Sequence, residues 1–234
     1  MLAGERMVGS NGKENFLFPL EDMYLSQGSY TATYSHNGCY AMDFIGWNGS
    51  RVYQCPYYAP FSCTLVARWG SSSPMVVWQS NDVVNFVDGT TDYACIGFCH
   101  DNNVMNFTIG ETRNQGDIIG HTGTYGASAD HVHIEAKKGT YDGYHRNSQG
   151  VWMMTNSTWL YNLMGVNDTV LTRTYYVNHN GIRVNYPWRE FSDAPIPPTP
   201  PPPPPPYAGY YRKYPWFTLT SKKLHRWQTN KNML

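Results

Sequence analysis

Short runs in which apolar and polar residues alternate recur along residues 31–138, and turns rich in Gly, Asn and Asp separate them. Side chains of a strand point alternately to opposite faces, so such a run buries one face and leaves the other polar. The clearest runs are YAMDFIG, CTLVARWG, PMVVWQS, YACIGFCH, DIIGHTG and HVHIEA. We therefore predict a mainly β domain over residues 31–138, an antiparallel sheet or barrel-like sandwich, after a polar lead-in of residues 1–30.

The chain after this domain changes character. Residues 139–193 are rich in Tyr, Trp and Asn, and we interpret them as an irregular extension of the domain. One short helix is predicted around STWLYNLMG, with Ser157 or Thr158 as its N-cap. The aromatic residues of the extension either line a groove or pack at the edge of the core.

A proline-rich segment and a basic tail complete the sequence. Residues 194–206 contain ten prolines, which favour an extended polyproline II spacer of about 40 Å. We interpret it as a linker, with a ligand for a proline-binding domain as the alternative. Residues 207–234 hold six basic and no acidic residues, although the whole chain has a formal net charge of zero. A basic tail on an acidic body indicates contact with an anionic partner.

Composition excludes several classes of protein. Charged residues make up only 15% of the 234, and the runs of Ala, Leu, Glu and Lys typical of helical bundles are missing. No apolar run approaches the roughly 20 residues of a membrane span, and residues 1–16 lack the apolar segment of a secretory signal. Five cysteines cannot form a complete disulfide framework, which leaves open one or two bridges.

The strongest chemical signal lies in DHVHIEA, residues 130–136. Because strand positions two apart share a face, His131, His133 and Glu135 are predicted to point the same way, with the apolar residues between them facing the core. Two imidazoles side by side on a polar face suit a metal or catalytic site. A glycine-rich loop leads into this strand, with glycines at positions 116, 120, 123 and 126.

Two further segments supply candidate side chains. His36 and Asp43 lie seven positions apart across an Asn-Gly turn, and Asp43 is in an alternating strand. Two imidazoles and one carboxylate form a good zinc ligand set with a fourth position left for water. His100 ends the run YACIGFCH, and regular alternation places it on the face opposite Cys95 and Cys99.

The ordered set His36, Asp43, His100, GDIIGHTGTYG and His131-Val-His133 resembles the lysostaphin-type family of zinc endopeptidases over residues 34–138. The resemblance implies a β metallopeptidase core that binds Zn2+ through His36, Asp43 and His133, with His131 and His100 as unligated catalytic histidines. Six residues separate His36 from Asp43, where three are usual in the family, and the longer spacing resembles the variant in bacteriophage tail-associated lysins. Asp130 stands where many members have Pro.

The resemblance also implies a function. It predicts an endopeptidase that hydrolyses stem peptides or cross-links of bacterial peptidoglycan, with Glu135 orienting a ligand. The closest variant favours a phage virion-associated tail lysin, located in the virion and acting on the host wall from outside. A soluble endolysin and a non-catalytic wall-binding or structural tail protein are the alternatives. Other tail proteins are expected partners through the linker and tail, and nucleic acid is not.

Overall fold

The computed structural model describes residues 1–21, 24–30, 35–166, 175–176 and 188–191, with only the backbone described for 175–176. The predicted linker (194–206) and basic tail (207–234) lie outside the described residues. Within the described part, strands dominate and helices are short. The prediction of a mainly β, antiparallel fold with a short helical and irregular extension is confirmed.

One large sheet organises the chain. Its strands are β1 (Tyr24–Gln27), β2 (Met42–Trp47), β3 (Arg51–Val52), β5 (Cys63–Trp69), β6 (Met75–Ser80), β9 (Ala94–Cys99), β10 (Thr112–Arg113), β12 (Val132–Lys138) and β15 (Tyr175–Tyr176). They lie in the order β10-β5-β6-β9-β12-β2-β1-β15, and β3 pairs with β2 beside this path. All neighbours are antiparallel except β1 and β15, which are parallel.

Smaller elements surround the sheet. Three antiparallel pairs of strands are β4 (Pro56–Tyr58) with β11 (Ile118–His121), β7 (Val84–Asn85) with β8 (Thr91–Asp92), and β13 (Tyr144–Arg146) with β14 (Trp152–Met154). The helical segments are a 3-10 turn (Val104–Asn106) and α1 (Leu160–Leu163).

The predicted cap of α1 is wrong. The N-cap residue is Trp159, and no side chain caps the helix. Ser157 and Thr158 use their backbone amides earlier, in hydrogen bonds to Met154 O at 3.1 Å and Ala136 O at 3.0 Å. These bonds hold the two residues in the approach to the helix, which therefore begins later than the sequence indicates.

Two different clusters of buried side chains cover the two faces of the central strands. The main core contains Val132, Ile134 and Ala136 of β12 together with Ile96 and Phe98 of β9. The opposite face is covered by a second, smaller cluster of Met75, Val77, Cys95, Cys99 and Met154. Met154 belongs to β14, so the hairpin β13–β14 of the extension packs on this second face. His133 and Glu135 share that face, because they pair with Cys99 and Gly97 of β9.

All five cysteines lie among the described residues. All five cysteines are free thiols, so neither of the bridges left open by the sequence forms. Among the described residues, no helix has the length and apolar character needed to cross a bilayer.

Candidate metal centre

The three predicted metal ligands meet at one point, although they come from distant parts of the chain. Asp43 in β2 and His133 in β12 are register partners, and His36 lies in the loop before β2. His36 Nε2 lies 3.1 Å from Asp43 Oδ1 and 3.2 Å from His133 Nδ1. His133 Nδ1 lies 3.0 Å from Asp43 Oδ1. These three donor atoms form the group in the described residues that could hold a metal ion.

A tight turn delivers His36 to this point. The His36 carbonyl accepts a hydrogen bond from Cys39 N at 3.2 Å, and Gly38 at the third position of the turn has φ of +69°. A positive φ at that position is the hallmark of a type II turn, which favours glycine. The Asn-Gly turn seen in the sequence therefore directs the His36 ring back toward β2.

The outer hydrogen bonds of the two histidines orient their rings. His36 Nδ1 donates to the Gly28 carbonyl at 2.9 Å, so the hydrogen of a neutral ring is on the outside and Nε2 presents a lone pair. His133 Nε2 faces Glu135 Oε1 at 3.4 Å, and in the tautomer that carries its hydrogen on Nε2 the ring presents the Nδ1 lone pair to Asp43 and His36. Outer carbonyl and carboxylate partners of this kind are typical of metal-binding histidines.

In these tautomers the three groups form a place for a cation. Two imidazole lone pairs and one carboxylate oxygen would point at each other across 3.0–3.2 Å. Donor atoms around a tetrahedral zinc ion lie about 3.3 Å apart when each bond is close to 2.0–2.1 Å. The donor types, their separations and the outer hydrogen bonds all fit zinc.

The pKa values point the same way. Burial alone would raise the pKa of the Asp43 carboxyl, but the His36 and His133 rings beside it hold that pKa well below its usual value. Burial alone would lower the pKa of His133, but the Asp43 and Glu135 carboxylates outweigh it and raise that pKa to about 10. The surroundings thus favour positive charge next to Asp43, which a divalent ion supplies.

His131 and His100 lie beside the three ligands. The His100 ring centroid is 4.4 Å from that of His131 and 6.2 Å from that of His133. His131 Nε2 lies 3.6 Å from Asp43 Oδ2. Each ring turns Nδ1 outward to a backbone carbonyl, His131 to Ala129 O at 2.7 Å and His100 to Tyr125 O at 2.9 Å. In both neutral rings Nε2 is therefore a hydrogen-bond acceptor.

The predicted face of His100 is wrong. Cys99 pairs with His133, so a regular strand would turn the next side chain to the opposite face, away from the site. His100 instead has φ of 79°, which takes it out of the strand geometry and brings its ring against His131. Gly123, opposite, permits this approach, because a Cβ added there would lie 2.3 Å from the His100 carbonyl oxygen.

Burial keeps His100 neutral. Its pKa falls to about 4, first because the ring is removed from water and then because His131 and His133 are close by. Ser73 Oγ lies 3.3 Å from His100 Nδ1 and further fixes the ring. The sequence held no signal for Ser73, which comes from a serine-rich loop between β5 and β6.

Cysteine is not part of this centre. Cys39 lies closest to it in sequence, and burial, followed by the charges of Glu135 and Asp43, raises the pKa of its thiol. Cys95 has a pKa raised to about 12, again chiefly by burial. In the described part of the chain, no cysteine sulfur joins the group of donor atoms formed by His36, Asp43 and His133.

Comparison with known proteins finds a clear sequence relative among phage proteins. The chain is 34% identical over 138 residues to "Morphogenesis protein 1" of Bacillus phage B103. The aligned part covers 58% of this chain and 36% of the phage protein, so the chain spans about a third of its relative. No protein-family model matches the chain.

Solved structures of two peptidases align with about half of the chain. The catalytic domain of lysostaphin from Staphylococcus simulans aligns with a TM-score of 0.35 and 20% identity, over 51% of this chain and 80% of that one. A zinc-containing peptidase from Vibrio cholerae aligns with a TM-score of 0.38 and 14% identity, over 56% and 42% of the two chains.

Proposed function

We propose that this protein is a zinc-dependent endopeptidase acting on the peptide part of bacterial peptidoglycan. The observation that carries the proposal is the set of three inward-facing donors on His36, Asp43 and His133, separated by 3.0–3.2 Å. Two further histidines, His131 and His100, flank this set, and each turns Nδ1 outward to a backbone carbonyl. Three protein ligands beside catalytic bases are the arrangement of a hydrolytic zinc site with an open position.

The residues divide into binding and proton-transfer roles. His36, Asp43 and His133 would hold the ion, and zinc supplies Lewis acidity, which lowers the pKa of water to about 7 and polarises a carbonyl. His131 Nε2 accepts the proton of the attacking water, and Asp43 Oδ2 at 3.6 Å stabilises the imidazolium that results. His131 then donates that proton to the leaving amine. Neutral His100, packed on His131, orients the water through its own Nε2.

Peptidoglycan is proposed as the substrate because the motifs resemble wall-cleaving peptidases and the sequence relative is a phage morphogenesis protein. The same relative supports a place in the virion, where the enzyme would open the host wall during genome entry. A soluble lysin released late in infection is the alternative. Detection of the chain in purified virions supports the first role, whereas its absence from virions and presence in lysates supports the second.

Fragment analysis tests the activity. Purified walls of several peptide chemotypes would be incubated with the protein, with and without a zinc chelator, and the released fragments identified by mass spectrometry. The proposal predicts new amino termini within stem peptides or cross-links, abolished by the chelator and restored by zinc. Fragments cut only in the glycan strand, or cleavage that is insensitive to the chelator, would overturn it.

A further inference from the structure

The loop that carries His36 is long and needs support from outside. Six residues separate His36 from Asp43, and β2 begins only at Met42. On one side, Ser29 Oγ donates to the carbonyls of Tyr40 and Ala41 at 2.6 and 2.9 Å. Tyr30 N adds a hydrogen bond to Cys39 O at 3.0 Å. These bonds hold the second half of the loop, but none of them reaches the turn itself at Asn37 and Gly38.

Asn147 holds that turn from the other side. Its Nδ2 donates to the carbonyls of Asn37 and Gly38 at 2.9 and 3.0 Å. Its Oδ1 accepts from the backbone amides of Gln149 and Val151 at 2.9 and 3.0 Å. The amide nitrogen of Asn147 therefore bonds to the turn after His36, and its amide oxygen bonds to the backbone of its own hairpin, β13–β14.

The contact is close enough to constrain the turn. A Cβ added at Gly38 would lie 3.1 Å from Asn147 Nδ2, so the glycine is needed for the approach as well as for its positive φ. Gln149 Oε1 reaches Asn37 Nδ2 at 3.4 Å and adds a second, longer contact across the same gap. Both loops thus fit together through backbone carbonyls and side-chain amides, without any charged group.

Strand β14 of the same hairpin contacts Glu135, and Glu135 in turn faces His133. Met154 N in β14 donates to Glu135 Oε2 at 2.6 Å, and Glu135 Oε1 faces His133 Nε2 at 3.4 Å. The hairpin β13–β14 is therefore hydrogen-bonded both to the turn after His36 and to the Glu135 carboxylate that faces His133. This hairpin belongs to the extension, not to the segment that carries the family motifs.

We propose that Asn147 is a positioning residue for the metal centre. Its hydrogen bonds hold the turn after His36, so that His36 Nε2 stays directed toward Asp43 and His133. This inference rests on the proposed function, because it assumes that His36 holds zinc. It assigns the extension a part in metal binding: the hairpin supports a loop with three residues more than the usual family spacing. Loss of a group bonded directly to a metal ligand weakens metal binding about 10-fold to 100-fold, and Asn147, which acts through the adjoining turn, is expected at the lower end of that range.

Asn147→Asp tests the inference. The aspartate keeps an acceptor for Gln149 N and Val151 N but loses both donors and places a carboxylate oxygen against two carbonyls. The matched control is Asn106→Asp, the same chemical change at an exposed position in the 3-10 turn. We expect zinc affinity, measured by chelator competition, to fall about tenfold in N147D and to stay unchanged in N106D. The Co2+-loaded N147D should also show an altered visible absorption spectrum.

A folding measurement separates positioning from general loss of structure. If Asn147 acts on the metal centre, N147D should lose zinc affinity while its far-ultraviolet circular dichroism stays that of the unmodified protein. Unchanged zinc affinity in N147D protein that is folded by this criterion would overturn the proposal. Asn147→Ser is the second variant in case the aspartate protein does not fold, because a serine hydroxyl can keep the turn without reaching the two carbonyls.

The outcomes also distinguish this inference from the proposed function. If the unmodified protein binds no zinc, the proposed function fails and the inference with it. If the unmodified protein binds zinc and His133→Ala abolishes binding, but N147D binds as tightly as N106D, only the inference is overturned.

Discussion

His36 and His133 are 97 residues apart in the chain, yet His36 Nε2 and His133 Nδ1 lie 3.2 Å from each other. Each ring directs its other nitrogen outward to an oxygen, Gly28 O for His36 and Glu135 Oε1 for His133. Both lone pairs then face the same space as Asp43 Oδ1. A cation at this position would be bound by all three donors, and its binding energy would then contribute to the stability of the folded chain.

Replacing His131 or His100 with Ala should separate catalysis from metal binding. Neither side chain belongs to the three-donor group, so zinc content per chain is expected to stay at the unmodified level. Wall hydrolysis should fall by about 100-fold to 10,000-fold, which is typical of losing a general acid–base group. Zinc would be measured by atomic emission and turnover by release of amino termini from walls. Loss of zinc in His131→Ala would mean that this residue is a ligand.

Asp130, at the position where many family members have Pro, should contribute to stability. Its buried carboxylate accepts from Thr122 Oγ1 at 2.7 Å and from Gln54 N at 3.1 Å, which fixes the approach to His131. Asp130→Ala leaves these donors without a partner, so the free energy of unfolding should fall by about 1–3 kcal/mol. Urea denaturation measures the change, with exposed Asp82→Ala as the control within about 0.5 kcal/mol. Equal effects of the two substitutions would contradict this role.

Glu135 should tune metal affinity without touching the ion. One oxygen faces His133 Nε2 and the other accepts from Met154 N, so Glu135→Gln replaces one of these acceptors with a donor. Zinc affinity is expected to fall about 10-fold to 100-fold, as for other outer partners of metal-binding histidines. Chelator competition would measure it, with exposed Glu190→Gln as the comparison. Unchanged affinity in the Glu135 variant would refute the assignment.

The sequence predicted those features that depend on local periodicity. Alternation along residues 131–135 placed His131, His133 and Glu135 on one face, and the core contains Val132 and Ile134 as expected. The convergence of His36 with that strand was implied by the family resemblance, since no local rule connects positions 97 residues apart. The catalytic and ligand roles of these side chains remain predictions.

Other features depended on geometry that the sequence does not display. A left-handed backbone is rare at a residue other than glycine, so regular alternation placed His100 on the wrong face. The start of α1 was misplaced because the backbone amides of Ser157 and Thr158 bond to Met154 O and Ala136 O, which holds both residues before the first turn of the helix. Asn147 lies in no motif, and its link to the His36 turn exists only because the hairpin folds back across the sheet.

The most direct test of the metal centre is a paired measurement of zinc content and wall hydrolysis in the unmodified protein and in His133→Ala. The account predicts one zinc per unmodified chain, and loss of both zinc and hydrolysis in the variant while its far-ultraviolet circular dichroism stays the same. Wall hydrolysis that persists in folded, zinc-free His133→Ala protein would contradict it.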